Sequence, residues 1–258
     1  MPPPDFAPIS AADEAAGRTA IAQFRQIVPD TAYYEIELQI RPRRGDLRSI
    51  PGRLWVGHND RGQVTRLVVD PGAPDERRWL IQGGPQPAAW RSDGSGAAAA
   101  AGSLEPLFPG VGITAFDLQL PYLFWPDATV LRLSRVFGSR PAYVYLFRPP
   151  AAFAAQHPEV AGVRVSFDTQ YKAPLQSEIL GAAGAPLKTM TVNEVKPMGE
   201  GHPAILEEVD FRNDTTRDTA RIEVRAVAAG LDLLPSLFTA AALSTDVAPP
   251  DPHLLERL

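Results

Sequence analysis

Alternating apolar and polar residues are the main pattern of this chain, and they predict β-strands. In residues 33–41, Tyr34, Ile36 and Leu38 point to one face, and the polar residues between them point to the other. Residues 220–227 alternate in the same way. Such alternation is typical of an antiparallel sheet with one face buried and one in water. We therefore expect this sheet to have one dry face and one wet face.

Further short apolar segments, each bounded by turn residues, extend the sheet. The cluster His58 to Gly62 predicts the turn of a hairpin between two of them. The additional predicted strands are residues 53–57, 63–69, 77–82, 129–137, 142–147, 163–168, 175–180, 187–195 and 204–211. The total is about eleven strands without strand–helix–strand alternation. The sequence therefore predicts a mainly β (α+β) fold on a single large curved antiparallel sheet.

Three helical segments accompany these strands. Ser10 to Asp13 is a variant capping box that predicts a helix running to about Val28. Residues 114–118 predict a short helix, and residues 234–243 predict a C-terminal helix or turn. Helices on the concave face of a curved sheet would enclose an apolar space.

One long segment and two chain ends lack this periodicity. Residues 83–112 are rich in Gly, Pro and Ala and are too long for a tight connection, which indicates a loop or lid. Residues 1–9 are Pro-rich and predict an extended N-terminal tail. We therefore expect one domain over residues 10–245 and a C-terminal tail over 246–258.

Composition and charge exclude several functional classes. The chain has 258 residues and a net charge of −5, so its overall field repels nucleic acid. It has no cysteine, which excludes disulfides, thiolate catalysis and cysteine-held metal clusters. No segment approaches the roughly 18 apolar residues of a membrane helix, and Met1 to Asp5 lacks the basic and apolar regions of a signal peptide.

Residues that carry catalytic chemistry are sparse. All four histidines lie in turn-like sequence, which favours exposed loop positions over metal ligation or catalysis: His58, His157, His202 and His253. Residues 110–115 match the dinucleotide-binding glycine pattern, but no strand–helix–strand unit surrounds them. We expect no enzymatic activity, no metal and no cofactor.

An acidic cluster near the C-terminal strands has two interpretations. It could bind a hard cation, but its spacing is not that of a calcium loop and arginines alternate with its acids. Its members are Glu207, Glu208, Asp210, Asp214 and Asp218, with Arg212, Arg217 and Arg221 between them. A solvated face with cross-strand ion pairs is the favoured interpretation.

Residues 177–243 resemble the C-terminal half of the LolA-like family, the outer-membrane lipoprotein-sorting proteins of bacterial envelopes. The motifs that carry the resemblance are the strands Leu187 to Met190, Glu207 to Arg212 and Thr216 to Val224, and the closing Leu237 to Thr239. Phe116 to Leu118 and Tyr143 to Leu146 are similar to a helix start and a strand of that family, whereas the first 110 residues match in pattern alone.

The resemblance implies an unclosed β-barrel of about eleven strands with helices as a lid, here a half-barrel domain over residues 10–245. It implies a periplasmic protein, whose signal peptide has been removed, that shields the acyl chains of lipoproteins or other lipids. Partners would be inner-membrane donor and outer-membrane acceptor proteins. Whether the mature chain is membrane-anchored stays open, and a sensor or scaffold domain of the same fold that binds a protein partner is the alternative.

Apolar strand residues are the candidates for lining such a cavity, although most would also suit an ordinary core. The candidate ligand-binding residues are Tyr34, Ile36, Leu38, Leu131, Leu133, Val165, Phe167, Met190, Val192, Ile222 and Val224. A fully buried chain of twelve carbons would gain on the order of 10 kcal/mol before entropic costs, so no specific polar contact is required.

Overall fold

The computed structural model describes residues 9–28, 30–93, 97–136, 140–196 and 205–258. Its strands form one antiparallel sheet of 14 strands. In chain order these are β1 Ala32–Arg41, β2 Arg48–Asn59, β3 Gly62–Val69, β4 Arg77–Gln82, β5 Ala88–Ser92, β6 Ala99–Ala100, β7 Asp127–Val136, β8 Arg140–Arg148, β9 Gly162–Asp168, β10 Pro174–Leu180, β11 Pro186–Lys196, β12 Ile205–Asn213, β13 Thr219–Ala229 and β14 Glu256–Arg257.

The strand order confirms the predicted fold class. It runs β6-β5-β4-β3-β2-β1-β13-β12-β11-β10-β9-β8-β7, with β14 paired to β13. Among the described strands the two ends of this order, β6 and β7, do not pair, so the sheet is not closed. Most neighbours are sequential hairpins, whereas β1 pairs with β13 from the far end of the chain.

Helical segments are short apart from the first. They are α1 Ala11–Phe24, α2 Ala115–Gln119 and α3 Ala151–Gln156, with 3-10 turns at Pro121–Phe124, Pro235–Phe238, Ala241–Ser244 and Pro252–Leu254. The capping prediction for α1 is confirmed, because Ser10 Oγ accepts a hydrogen bond from the Asp13 amide at 3.1 Å. The predicted end at Val28 is wrong, since Pro29 follows it and disfavours helical backbone in the preceding residue.

The chain divides into two compact units. The first, called the helix unit, comprises Met1–Ile27 and Tyr122–Thr191, and the second, called the strap unit, comprises Val28–Pro121 and Val192–Leu258. Strand β11 crosses the boundary between them in sequence.

The helix unit is built on β7 to β10 with α1 against one face. Gly17 is the point of closest approach, because a Cβ there would lie 2.9 Å from Val130 Cγ1. The buried hydroxyl of Tyr145 donates to Gly17 O at 2.8 Å, and Phe24 meets the ring of Phe167 edge-on at 5.3 Å. The side chain of Arg25 anchors the end of the helix by donating to Leu123 O at 2.6 Å. A glycine in mid-helix lowers helix propensity, but here it permits this close packing.

The strap unit is built on β1 to β6 and β12 to β14. Its sheet carries apolar residues on both faces, so the expectation of one dry and one wet face is wrong for this unit. One face includes Tyr33, Trp55 and Val68, which pack against Leu231 and Val247 among other residues of the C-terminal segment. We call residues 231–258 the strap and the face that they cover the strap face.

The segment predicted as an unstructured loop or lid contains strands. Residues 88–92 and 99–100 pair with their neighbours as β5 and β6, although neither alternates in polarity. The backbone can form these ladders because alanine and serine side chains do not obstruct them. The segment set apart as a C-terminal tail includes β14, which pairs with Ala226 and Val227 of β13. The predictions for residues 1–8, 94–96, Phe137, His202 and Ala204 concern positions outside the described residues.

Candidate functional site

The second face of the strap unit, called the apolar face, carries the central candidates from the sequence. Register places Ile36 opposite Gly52 on β2 and Val224 on β13, and it places Leu38 opposite Ile222. Ile36 and Leu38 are only 4 % and 1 % exposed. Gly52 is required by this packing, because a Cβ there would lie 2.9 Å from Ile36 Cγ1.

Residues 103–120, called the lid, lie on the apolar face. Trp79 is on this face, in one cross-strand row with Tyr34 and Leu67. The indole Nε1 of Trp79 donates to Leu107 O at 2.8 Å. Five large apolar side chains of the lid are almost completely buried, and three leucines are partly buried. The five are Leu107, Phe108, Val111, Ile113 and Phe116. The lid thus supplies a second apolar layer over the sheet.

Side chains link the lid to the strands, whereas its backbone bonds to itself. Leu107 N donates to Ile113 O at 2.9 Å, and Phe116 N donates to Ser103 O at 2.8 Å. The side-chain Nε2 of Gln119 donates to Ala88 O at 2.9 Å and to Gln82 O at 3.1 Å. A layer held by side chains separates from a sheet more easily than a paired strand does, since no ladder has to break.

The structure distributes the predicted cavity residues over both units. Tyr34, Ile36, Leu38, Val192, Ile222 and Val224 belong to the strap unit, and Leu131, Leu133, Val165, Phe167 and Met190 belong to the helix unit. All are buried except for Tyr34 and Leu131, which are partly buried, and Leu133, which is 45 % exposed on β7. In the helix unit Val165, Ser177 and Met190 share one row.

The acidic cluster on β12 and β13 forms cross-strand ion pairs. Arg221 contacts Asp210 at 2.6 Å and Glu208 at 2.5 Å, and Arg212 contacts Asp214 at 2.5 Å. Glu37 on β1 accepts hydrogen bonds from Ser49 at 2.7 Å and from Arg225 at 2.7 Å, which hold the pKa of Glu37 below its usual range. The predicted cross-strand ion pairs are therefore present, but the expectation of a solvated face is wrong for Arg221, Glu208 and Asp210, whose side chains are only 16–26 % exposed.

The remaining polar candidates from the sequence show no convergent site. His58 and His253 are exposed, and His157 lies 3.4 Å from Glu159. No group of three or more metal-ligating side chains occurs within the part of the chain that the structure describes. In the same residues no helix is long and apolar enough to cross a membrane.

The sequence analysis did not predict the strap or the arginine that anchors it. Arg66 is fully buried on the strap face, where its Nη1 donates to Ala242 O at 2.7 Å and its Nη2 donates to Thr245 O. Burial, followed by the nearby charge of Arg78, lowers the pKa of Arg66. A guanidinium suits this position because its several donors can hold carbonyls that end the 3-10 turns of the strap.

A sequence signal for this second dry face was present in β3 and β4. Residues 64–69 and 78–82 carry apolar side chains at odd and even positions alike, a pattern typical of strands buried on both faces.

Comparison with known proteins identifies the fold. A scan of protein-family models finds no match, and no curated protein matches the sequence. A putative outer membrane lipoprotein-sorting protein domain from Vibrio parahaemolyticus superposes with a TM-score of 0.76 at 16% identity, covering 90% of this chain and 99% of that one. The chain has the LolA-like fold.

Two further solved structures share this LolA-like fold. A DUF1329 family protein from Desulfovibrio piger gives a TM-score of 0.74 at 13% identity, covering 89% of this chain and 98% of that one. A LolA superfamily protein from Nitrosomonas europaea gives a TM-score of 0.64 at 12% identity, covering 86% of this chain and 97% of that one. The predicted family resemblance is therefore confirmed at the level of fold.

Proposed function

We propose that this LolA-like protein binds the acyl chains of lipids or lipoproteins on its apolar face, with the lid as a movable cover. The function is non-enzymatic shielding of acyl chains in the periplasm during outer-membrane lipoprotein sorting. Donor and acceptor proteins in the two membranes would be its partners. The fold shared with a putative lipoprotein-sorting domain supports this proposal.

The observation that carries the proposal is how the lid is attached. The apolar face is dry, and the layer that covers it is joined to the strands through side chains such as Trp79 and Gln119. A ligand that displaces the lid would take over its apolar contacts without breaking a strand pair. Each acyl CH₂ that becomes buried gains about 0.8 kcal/mol, so a long chain can compete with a few apolar side chains.

Native mass spectrometry tests the proposal. The protein is purified without detergent and then incubated with a diacylated peptide or with the same peptide lacking its acyl chains. We expect a 1:1 complex with the acylated peptide alone, or a co-purifying lipid that the acylated peptide displaces. A protein that stays ligand-free with both peptides would overturn the proposal, and equal binding of both would favour the protein-binding scaffold.

A further inference from the structure

A groove of about 790 Å³ lies on the strap face of the strap unit. Trp55 and Val68 contribute to its lining from the sheet, Pro71 from the turn between β3 and β4, and residues 246–249 from the strap. Its volume falls within the range of about 300–1,000 Å³ that is typical of small-molecule sites. The groove is on the face opposite to the one proposed for acyl chains.

A second hollow of about 420 Å³ continues this groove towards β1. The two hollows share Arg53 and Pro71 in their linings. Glu35, which stands directly opposite Arg53 in the register, pairs with Arg257 at 2.7 Å in the second hollow. We call the two hollows together the strap groove, and Arg53 lies at their junction.

Arg53 is a partly buried arginine of the strap groove for which the described residues supply no ion pair, whereas the fully buried Arg66 is held by carbonyls of the strap. Arg78 pairs with both Glu76 and Asp246, and Arg225 pairs with Glu37. Within the described ranges, Arg53 forms no ion pair, and its side chain is partly buried. An arginine in a concave, partly apolar setting favours a bound carboxylate or phosphate, since low polarity strengthens the charge interaction.

Two buried donors next to this position also lack partners within the described part of the chain. They are the Nε of Arg66, which lines the groove, and the hydroxyl of Tyr33. Both residues are fully buried, and both stand directly opposite Trp55 in the register. Buried donors without acceptors are rare and costly in folded proteins. Because these two atoms have almost no solvent-accessible surface, a ligand in the groove would contact Arg53 and neither of them.

We infer that the strap groove is a second binding site, for a small apolar or aromatic molecule that ends in a carboxylate or a phosphate. The oxyanion contacts Arg53, and the apolar body lies on Pro71 and Val247, which are partly exposed in the groove. The acidic side chains around Arg53 have other cationic partners: Glu76 and Asp246 pair with Arg78, and Glu35, which is opposite Arg53, pairs with Arg257.

Isothermal titration calorimetry with matched aromatic probes tests this inference. The probes are 2-naphthoate, 2-naphthyl phosphate and the uncharged 2-naphthalenemethanol, with inorganic phosphate as the oxyanion alone. We expect at least one anionic probe to bind at least tenfold more tightly than the uncharged one. The preferred anion then identifies the ligand as a carboxylate or a phosphate ester.

Two variants locate the site. Arg53→Gln should weaken binding of the anionic probe by tenfold or more, whereas Arg18→Gln, which removes an exposed arginine of α1, should leave it unchanged. Equal binding of charged and uncharged probes, or unchanged binding in the Arg53 variant, would overturn the inference. Binding of the diacylated peptide should not change in Arg53→Gln, so the two proposed sites succeed or fail separately.

Discussion

Removing the hydrogen bond between Trp79 and the lid should increase the affinity for an acylated ligand. The substitution Trp79→Phe keeps an aromatic ring on the apolar face but leaves the carbonyl of Leu107 without the indole donor that lies at 2.8 Å. In the closed state this carbonyl would be buried and unsatisfied, at a cost of about 1–3 kcal/mol. In the open state water would bind it, so the substitution destabilises the closed state selectively.

The size of the effect follows from the competition between lid and ligand. Full burial of a large apolar side chain contributes about 1.5–3 kcal/mol, and five such side chains of the lid are buried on closing. The lid therefore stays closed without ligand in the variant. A ligand that binds the open state alone should gain affinity by the same 1–3 kcal/mol, which is about 5- to 150-fold.

Fluorescence titration with a labelled diacylated peptide measures this change. Trp90→Phe is the matched control, since Trp90 is on the neighbouring strand β5, opposite Leu80 on the strap face. We expect tighter binding in the Trp79 variant and unchanged binding in the control. Unchanged or weaker binding in Trp79→Phe, with a folded protein by circular dichroism, would refute the idea that the lid competes with the ligand.

Three further substitutions test the packing of each unit and the pH response. Gly17→Val should destabilise the helix unit by about 1–3 kcal/mol, because the new side chain meets Val130; thermal melts should show little change for the exposed control Ala16→Val. Arg66→Met should release the strap, at a cost of about 1–3 kcal/mol for each carbonyl left without its donor, and limited proteolysis that cuts residues 231–258 no faster than in the wild type would contradict this. Folding lowers the pKa of Glu37. The ionised carboxylate therefore stabilises the folded protein above the unfolded pKa of about 4.3, and this stabilisation is lost as pH falls through the folded pKa. Urea unfolding should therefore show Glu37→Gln to be less stable by up to about 1 kcal/mol at pH 7, with the difference shrinking as pH falls below the unfolded pKa and vanishing below the folded one.

Most strands of the fold were predictable because their side chains alternate. The segment around Ile36 and Leu38 has the predicted orientation, and in β13 the buried Ile222 and Val224 alternate with more exposed residues as predicted. Strands β5 and β14 were not predictable, since β5 is held by backbone pairing to β4 and β14 has two residues. The polarity pattern within a segment does not predict strand pairing that depends on a neighbouring strand.

The candidate site was predictable in part for a related reason. Apolar alternation identifies which residues of one strand share a face, whereas the position of Ile222 and Val224 beside Leu38 and Ile36 follows from the pairing of β1 with β13. It does not identify what covers that face, because the lid and the strap have no regular period of their own. Arg66 shows this best: its sequence context suggests a polar strand position, whereas its carbonyl partners lie about 170–180 residues further along the chain.

The pairing of β1 with β13 has a consequence for how the protein is made. Strand β1 begins at Ala32, and its partner β13 ends at Ala229. The free edge of β1 therefore stays unpaired until a strand about 190 residues further along the chain has been synthesised. Until then the nascent meander from β1 to β6 has a free edge and apolar side chains that no strap covers. Such an intermediate is prone to aggregation. The last fifth of the chain thus covers and pairs the meander only after the rest has been synthesised. Production of the protein should therefore depend on holdase chaperones that protect the meander until that part of the chain is present.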